Sequence, residues 1–229
     1  MTLFRLAGLT GGYGAVPVVH DLDLEIRPGE VVGMVGRNGM GKSTALRTAF
    51  GLATRHGGTV TLADAPVPPR RPDLLARRGA SLMPEDRGVF PTLTVEENVR
   101  LAQVRGYRPA VDPRDVFPLL TQRARQPAGT LSGGQQQLVG LARSVLAGSR
   151  LVVVDEVTQG LQPSIVTEVM ELVAALAADG VGLLLVDQSP QTLVRACHRV
   201  LVMERGRLVL DEPVTPATSA RVADLLQLR

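Results

Sequence analysis

The sequence predicts an α/β protein with a largely parallel central sheet, and three features lead to that prediction. Short, largely apolar segments typical of buried parallel strands occur at 30–35, 151–154 and 181–186. Residues with helical periodicity lie between the last two of these segments. A glycine-rich segment follows the first strand directly, as in a strand–loop–helix unit that binds phosphate.

The first third of the chain has the apolar–polar alternation of a half-exposed sheet at 2–6 and 18–26. Gly57 and Gly58 indicate a break in the chain, and four prolines between residues 65 and 72 indicate a loop. The remaining predicted elements here are a turn at Pro28-Gly29, the strand 30–35, a helix over 42–52 and a short strand at 59–62.

The middle of the chain predicts a small helical subdomain over residues 90–145. Thr94 and Glu97 have the spacing of a capping box that opens a helix over 95–104. Prolines distributed over 106–129 leave room for one or two short helices at most. We therefore expect one domain over 1–229, in which 1–89 and 146–229 form the core together with an N-terminal antiparallel β subdomain.

The last third alternates strand and helix. A helix is predicted over 163–178 with Gly180 as its C-cap, between the strands 151–154 and 181–186. Ser189 and Pro190 have the order of an N-cap and a first helical residue. The segments 200–203 and 208–210 predict a hairpin around Arg205-Gly206.

The composition and the sequence pattern argue against a membrane-spanning, a secreted and a disulfide-stapled protein. The net charge of +3 is weak grounds for a nucleic-acid partner, and no apolar run approaches the length of a bilayer span. We expect no secretory leader, and the single cysteine, Cys197, cannot form an internal disulfide. The three histidines are scattered without metal-ligand spacing.

The basic residues single out one position, because 24 of the 25 are arginine and one is lysine. Lys42 lies in a complete Walker A motif between a predicted strand and a predicted helix. The amides of such a loop bind phosphate, the lysine reaches the β- and γ-phosphates, and Ser43 can hold Mg²⁺. The candidate nucleotide-binding residues are Gly36, Arg37, Asn38, Gly39, Met40, Gly41, Lys42, Ser43 and Thr44.

Asp155 and Glu156 end the apolar strand 151–154, at the edge of an open α/β sheet where ligands bind. Asp155 in this position can hold Mg²⁺ through water, and Glu156 can orient the attacking water or accept its proton. Together with the glycine-rich loop, this pair predicts a nucleotidase.

A second candidate anion site precedes the helical residues 136–146. It consists of Ser132, Gly133, Gly134 and Gln135, whose amides would lie at a helix N-terminus. One nucleotide does not need two such sites in one molecule, so we expect two molecules packed head to tail, each completing the other's ATP site.

The order Walker A, Leu-Ser-Gly-Gly-Gln, hydrophobic-Asp-Glu resembles the ATP-binding cassette (ABC) ATPases over almost the whole chain. The resemblance implies a P-loop NTPase core that binds ATP and Mg²⁺. It also implies adenine stacking on Tyr13, a Mg²⁺-sensing loop at Glu85, a dimer-interface loop at 158–161 and a γ-phosphate contact by Gln188.

Three residues depart from the family pattern: Glu85 replaces Gln, Gln188 replaces His, and Val157 replaces Pro. Gln188 can hydrogen-bond a phosphate but cannot bear a proton or a charge, which leaves Glu156 as the candidate base. The negative charge of Glu85 near a triphosphate is tolerable mainly if Mg²⁺ lies between them.

The segment 84–98 and the glutamine at position 188 resemble the ATPases of branched-chain amino acid importers. Their close relatives that serve urea and short amides share the segments 36–42, 160–165 and 202–206. The resemblance implies a homodimer or a heterodimer with a related ATPase, integral membrane permeases and, indirectly, a solute-binding protein, without nucleic acid. The chain would then be cytoplasmic and peripheral on the inner face of the cell membrane. The alternatives are a nucleotide-binding regulator without turnover and an ABC protein acting on nucleic acid.

Overall fold

The computed structural model describes residues 1–227, so the predicted domain 1–229 has its last two residues outside the described part. Two sheets form the molecule. The first, in the order β2-β1-β4-β5, is antiparallel, and its strands are β1 (Phe4–Tyr13), β2 (Val16–Ile26), β4 (Thr54–Leu62) and β5 (Ala65–Pro66). The predicted antiparallel N-terminal sheet is therefore present.

The second sheet has six strands in the order β10-β9-β3-β8-β7-β6, all parallel except the edge strand β10. Its strands are β3 (Val31–Val35), β6 (Ala80–Met83), β7 (Leu151–Asp155), β8 (Gly182–Asp187), β9 (Arg199–Glu204) and β10 (Arg207–Pro213). Strands β3, β7 and β8 are buried along their whole length, as their apolar sequences predict. One hydrophobic cluster packs on each face of this sheet.

The helices lie between and around these strands. They are α1 (Lys42–Ala49), α2 (Pro72–Arg77), α3 (Val95–Ala102), α4 (Pro113–Val116), α5 (Leu119–Gln122), α6 (Gly133–Ala147), α7 (Pro163–Ala178), α8 (Pro190–Ala196) and α9 (Thr218–Gln227), with a 3-10 turn at Ala128–Thr130. The capping box of Thr94 and Glu97 forms as predicted. No helix within residues 1–227 combines the length and the apolar character that crossing a bilayer requires.

The prediction of a break at Gly57-Gly58 is wrong, because β4 runs through both glycines. Gly58 has φ 78°, and a Cβ there would lie 2.3 Å from the carbonyl oxygen of Gly8 on β1. The register between β1 and β4 also shifts between Ala7 and Thr10. The glycines therefore allow two strands to approach closely at a bulge.

Four other elements differ from the predictions. The segment 65–72 is not all loop, since β5 pairs with β4 and α2 begins at Pro72. The predictions did not include strand β6 or helix α9. The segment 90–145 contains helices and an isolated β-bridge between Thr94 and Pro127 but no longer strand, and its treatment as a subdomain stays a prediction.

Candidate functional site

The loop that joins β3 to α1 curls tightly, and its glycines permit that shape. Gly39 and Gly41 have φ values of 78° and 102°, a region that side chains with a Cβ rarely occupy. A Cβ on Gly36 would lie 2.6 Å from the carbonyl oxygen of Met203 on β9. The loop thus brings its backbone close to the start of α1, where free amides attract anions.

Lys42 is buried at the first position of α1, with 6% of its surface exposed. Its ammonium donates hydrogen bonds to the carbonyl oxygens of Gly36 (2.7 Å) and Arg37 (3.2 Å). The two carbonyls hold this compact cation beneath the loop. A planar guanidinium differs from an ammonium in shape and reach, so an arginine would not make the same contacts here. A fixed positive charge therefore lies at the centre of the phosphate-binding loop.

The turn between β9 and β10 supports this loop from the other side. The amide of Gly206 donates to the carbonyl of Met40 over 2.9 Å. Gly206 has φ 77°, and a Cβ there would lie 2.0 Å from the carbonyl oxygen of Val18. Sequence reasoning assigned this turn only to a hairpin and missed its contact with the phosphate loop.

Asp155 ends β7 with 3% of its surface exposed. Burial raises the pKa of its carboxyl, a hydrogen bond from Ser43 opposes that rise, and the negative charge of Glu85 adds to it. The second oxygen, Oδ1, is buried without a hydrogen-bond partner in the described part of the chain. A hydroxyl next to a buried carboxylate with an unsatisfied oxygen fits a hard cation such as Mg²⁺.

Within residues 1–227, no group of three or more His, Cys, Asp or Glu side chains could hold a metal ion by itself. An ion at Ser43 and Asp155 would therefore need further oxygen ligands from phosphate and water. That ligand set is usual for Mg²⁺, which keeps waters and shares phosphate oxygens with few protein side chains.

Glu156 follows Asp155 with φ 58° and is 8% exposed. Its carboxylate accepts a hydrogen bond of 3.0 Å from Nε2 of Gln188. Burial raises the pKa of Glu156, the hydrogen bond from Gln188 opposes the rise, and the charge of Asp187 adds to it. The two residues predicted to act on the γ-phosphate and the water are therefore in direct contact.

A cavity of about 340 Å³ opens between the phosphate loop and the side chains of Glu85 and Glu156. Both Glu85 and Glu156 line it, which brings two carboxylates to face the amides of the loop. Its complete lining is Val18, Asn38, Gly39, Gly41, Lys42, Ser43, Thr44, Glu85 and Glu156.

Tyr13 lies at the end of β1, pairs with Val16 and is 50% exposed. It does not line the cavity, although Val18 on the same hairpin does. The ring is therefore accessible at the hairpin beside the cavity rather than inside it.

The segment 132–135 forms the N-terminus of α6, and Ser132 caps it. The Ser132 hydroxyl accepts from the Gln135 amide (3.3 Å), and the Gln135 side chain accepts from the Ser132 amide (3.1 Å). None of these residues lines the cavity beside the phosphate loop of the described chain. A Cβ on Gly134 would lie 2.4 Å from the carbonyl oxygen of Gly160, so the segment 158–161 packs closely against this helix start.

Two buried polar residues near the site were missed by sequence reasoning. Gln137, 2% exposed, donates over 2.6 Å to the backbone carbonyl of Glu156. Asp187, 3% exposed, accepts from the amide and hydroxyl of Thr158 (2.9 and 2.6 Å) and from the amide of Ser189 (2.8 Å). The only indication in the sequence was a polar residue inside an apolar helix or at a strand end.

A glycine loop between strand and helix, a buried lysine and an acidic strand end define a P-loop nucleotide-binding protein. Residues 19–159 match the family model for the ABC transporter, and the chain belongs to that family. The resemblance stated from the motifs is confirmed, and the chain is an ABC ATPase.

Curated relatives extend over most of the chain. It is 33% identical over 218 residues to the high-affinity branched-chain amino acid transport ATP-binding protein BraG of Pseudomonas aeruginosa, covering 93% of this chain and 94% of the relative. It is 31% identical to the probable branched-chain amino acid transport protein LivF of Archaeoglobus fulgidus, covering 91% of each. The ribose import protein RbsA 1 of Rubrobacter xylanophilus is 34% identical over 93% of this chain, which spans 46% of that protein.

Solved structures agree with the fold. The structure of an ATP-binding subunit of an ABC transporter superposes with a TM-score of 0.81 at 28% identity, over 99% of this chain and 95% of the other. A dimeric ATP-binding cassette bound to ADP and Pi superposes with a TM-score of 0.81 at 23% identity, over 93% and 99% of the two chains, which shows the shared fold. The predicted α/β cassette with its antiparallel N-terminal sheet is confirmed.

Proposed function

We propose that this chain is the ATP-hydrolysing subunit of an ABC importer for branched-chain amino acids or related small polar solutes. The observation that supports it best is the cavity in which Lys42, Ser43, Glu85 and Glu156 meet. A site with a fixed cation, a hydroxyl and two carboxylates suits a magnesium-bound triphosphate rather than an uncharged ligand.

Each residue has a specific part in that proposal. The loop 36–44 and Lys42 bind the β- and γ-phosphates through amides and the ammonium. Ser43 and Asp155 would hold Mg²⁺, with Glu85 beside them, and the ion would supply positive charge against the phosphates. Glu156 accepts the proton of the attacking water, while Gln188 orients the Glu156 carboxylate and the γ-phosphate. Tyr13 stacks on adenine from the rim.

The second half of each site comes from another copy or a related ATPase. The N-terminus of α6 presents amides at 132–135 yet lies outside the cavity of its own chain. Head-to-tail pairing would bring Ser132, Gly133, Gly134 and Gln135 of one subunit onto the ATP held by the other.

The groove between the core and the helical subdomain, near residues 85–91, is the proposed docking place for a cytoplasmic helix of a permease. Met83, Arg87, Ala102 and Gly140 line a cavity of about 160 Å³ there. Phe90 is 48% exposed at this end of the molecule, and the guanidinium of Arg143 stacks 4.7 Å from its ring centre. The chain would accordingly lie in the cytoplasm against the inner face of the membrane, with a solute-binding protein acting through the permease.

The relatives support this solute class without excluding others. BraG and LivF are named for branched-chain amino acids, whereas other relatives are named for ribose import and for Nod factor export. Import of urea or short amides is the second candidate, because the segments 160–165 and 202–206 also resemble that group.

Steady-state ATP hydrolysis by the purified chain tests the assignment, with Glu156→Gln as the matched variant. We expect turnover in the wild type and its loss in the variant at unchanged ATP binding. Full activity of Glu156→Gln would remove Glu156 as the base, and a wild type that binds ATP without turnover would favour a regulator.

Cross-linking tests the shared site. The paired substitutions Asn38→Cys and Ser132→Cys should form an intermolecular disulfide when a non-hydrolysable ATP analogue is bound. The native thiol interferes little, since burial raises the pKa of Cys197 to about 12. Absence of the cross-link in every nucleotide state would contradict head-to-tail pairing.

A further inference from the structure

The peptide unit between Glu156 and Val157 is held at both of its polar atoms. The Glu156 carbonyl accepts a 2.6 Å hydrogen bond from Nε2 of Gln137 on α6. The Val157 amide donates over 3.1 Å to the carbonyl of Val186 on β8. Gln137 and Val157 are almost fully buried, with 2% and 1% of their surfaces exposed.

This arrangement lies directly behind the proposed base. Glu156 has φ 58°, a conformation that residues with a Cβ adopt rarely and keep only when surrounding contacts impose it. The direction in which its carboxylate points depends on the orientation of the following peptide. A hydrogen bond at each end of that peptide fixes the orientation.

One of the two bonds depends on a residue in which this chain departs from the ABC pattern. A proline at position 157 has no amide hydrogen and could not donate to Val186. Valine has this amide hydrogen. The hydrogen bond to β8, which is one side of the clamp on the peptide between Glu156 and Val157, therefore exists only because position 157 is not proline.

The other bond crosses between parts of the molecule. Gln137 lies two residues after the Ser132–Gln135 segment, on the same helix. It therefore connects the helix that presents the second anion site to the backbone of the proposed base. Gln188 independently holds the Glu156 carboxylate by a hydrogen bond of 3.0 Å.

We propose that Gln137 is a positioning residue for ATP hydrolysis, which, together with the Val157 amide, holds the Glu156 carboxylate in its productive direction. This inference rests on the proposed role of Glu156 as the base. It assigns to α6 a second task beyond the anion site at its N-terminus: the helix also sets the geometry of the base in its own chain.

The test compares Gln137→Leu with Gln136→Leu, a change of the same kind at the neighbouring position. The Gln136 amide donates to the carbonyls of Ala128 and Leu131 and does not contact Glu156. We expect Gln137→Leu to lower kcat roughly 10- to 100-fold with a KM for ATP near that of the wild type, because a small misplacement of a reacting group has that effect. Gln136→Leu should keep kcat within about twofold.

A third variant separates hydrogen bonding from packing. Gln137→Glu keeps the shape of the side chain and can donate to the Glu156 carbonyl only when protonated. The ratio of its kcat to that of the wild type should therefore fall as the pH rises, whereas the ratio for Gln137→Leu should stay flat. A flat ratio for Gln137→Glu would overturn the role of the donor.

A double-mutant cycle distinguishes this inference from the proposed function. Gln137→Leu should cause no further loss of the residual turnover that is measured in a Glu156→Gln background. If Glu156→Gln is inactive but Gln137→Leu keeps the wild-type kcat, or loses no more than Gln136→Leu, the positioning role is wrong and the base assignment stands. If Glu156→Gln stays active, the assignment of Glu156 as the base fails, and the positioning role of Gln137 fails with it.

Discussion

The side-chain amide of Gln188 donates a 3.0 Å hydrogen bond to the carboxylate of Glu156, which joins the loop after β8 to the end of β7. This amide has no titratable proton, so its capacity to donate the hydrogen bond does not change with pH. The family pattern has histidine at this position, and a histidine that donates here could also gain a proton and a charge. Gln188 makes the contact without a change of charge.

Replacing Gln188 tests what this contact contributes. Gln188→Leu removes the donor and should lower kcat at least tenfold, because the Glu156 carboxylate loses its orientation. Gln188→His restores a donor that titrates, so activity should gain an inflection near pH 6.5, the ordinary pKa of histidine. Steady-state rates between pH 5.5 and 8.5 measure both. A wild-type rate in Gln188→Leu would show that the contact has no catalytic role.

Lys42→Ala should abolish ATP binding and leave the fold intact. The ammonium is the only lysine charge in the chain and lies under the loop, held by two carbonyls. Lys42→Arg should fail as well, because a planar fork cannot replace a compact ammonium there. Nucleotide affinity and thermal unfolding measure the two effects separately, and wild-type affinity in Lys42→Ala would refute the phosphate-loop assignment.

Glu85 lines the cavity beside the phosphate loop. Burial raises the pKa of Asp155, the hydrogen bond from Ser43 opposes that rise, and the negative charge of Glu85 adds to it. The charge of Glu85 therefore lies close to the proposed Mg²⁺ site. Glu85→Gln should tighten binding of metal-free ATP, because it removes a repulsive charge. The same variant should require more Mg²⁺ for half-maximal turnover. Binding in EDTA and a Mg²⁺ titration of ATPase activity check the two effects. Equal affinities with and without Mg²⁺ in both proteins would contradict the proposed placement of the ion.

Tyr13→Ala should weaken ATP binding by about 1–3 kcal/mol, by analogy with the stacking of bases on aromatic side chains. The ring is half exposed on the hairpin next to Val18, which lines the cavity. Tyr13→Phe keeps the π-face and should bind ATP like the wild type. Calorimetry with ATP and with inorganic triphosphate separates base stacking from phosphate binding. An equal loss for both ligands would place Tyr13 outside the adenine contact.

The local parts of the site were predictable because neighbouring residues build them. The glycine loop, Lys42 and Ser43 follow one strand directly, and Asp155 and Glu156 end another, so motif and context lie in continuous sequence. The parallel order of β3, β8 and β7 then brings the ends of these strands together at one edge.

The contacts between distant segments were not predictable. Gln137 meets Glu156, Asp187 meets Thr158, and Gly206 meets Met40 only because of the strand order and the packing of α6. Gly57-Gly58 shows the opposite error, since glycines that look like a break locally allow close pairing of β4 with β1.

Val157→Pro restores the usual family residue and should nonetheless destabilise this chain. Proline removes the amide that donates to Val186, and it disfavours the left-handed conformation of the preceding Glu156. An unsatisfied buried carbonyl costs about 1–3 kcal/mol. A chain of this size should lose roughly 2–4 °C of Tm for each kcal/mol.

Val157→Ala is the matched control, because it also loses side-chain packing but keeps the amide. It should lower Tm while leaving kcat near the wild-type value, whereas Val157→Pro should lower both. Thermal unfolding and steady-state ATPase rates on the three proteins measure the difference. If proline at position 157 leaves kcat unchanged, the β8 side of the clamp does not position Glu156, and the bond from Gln137 is sufficient by itself.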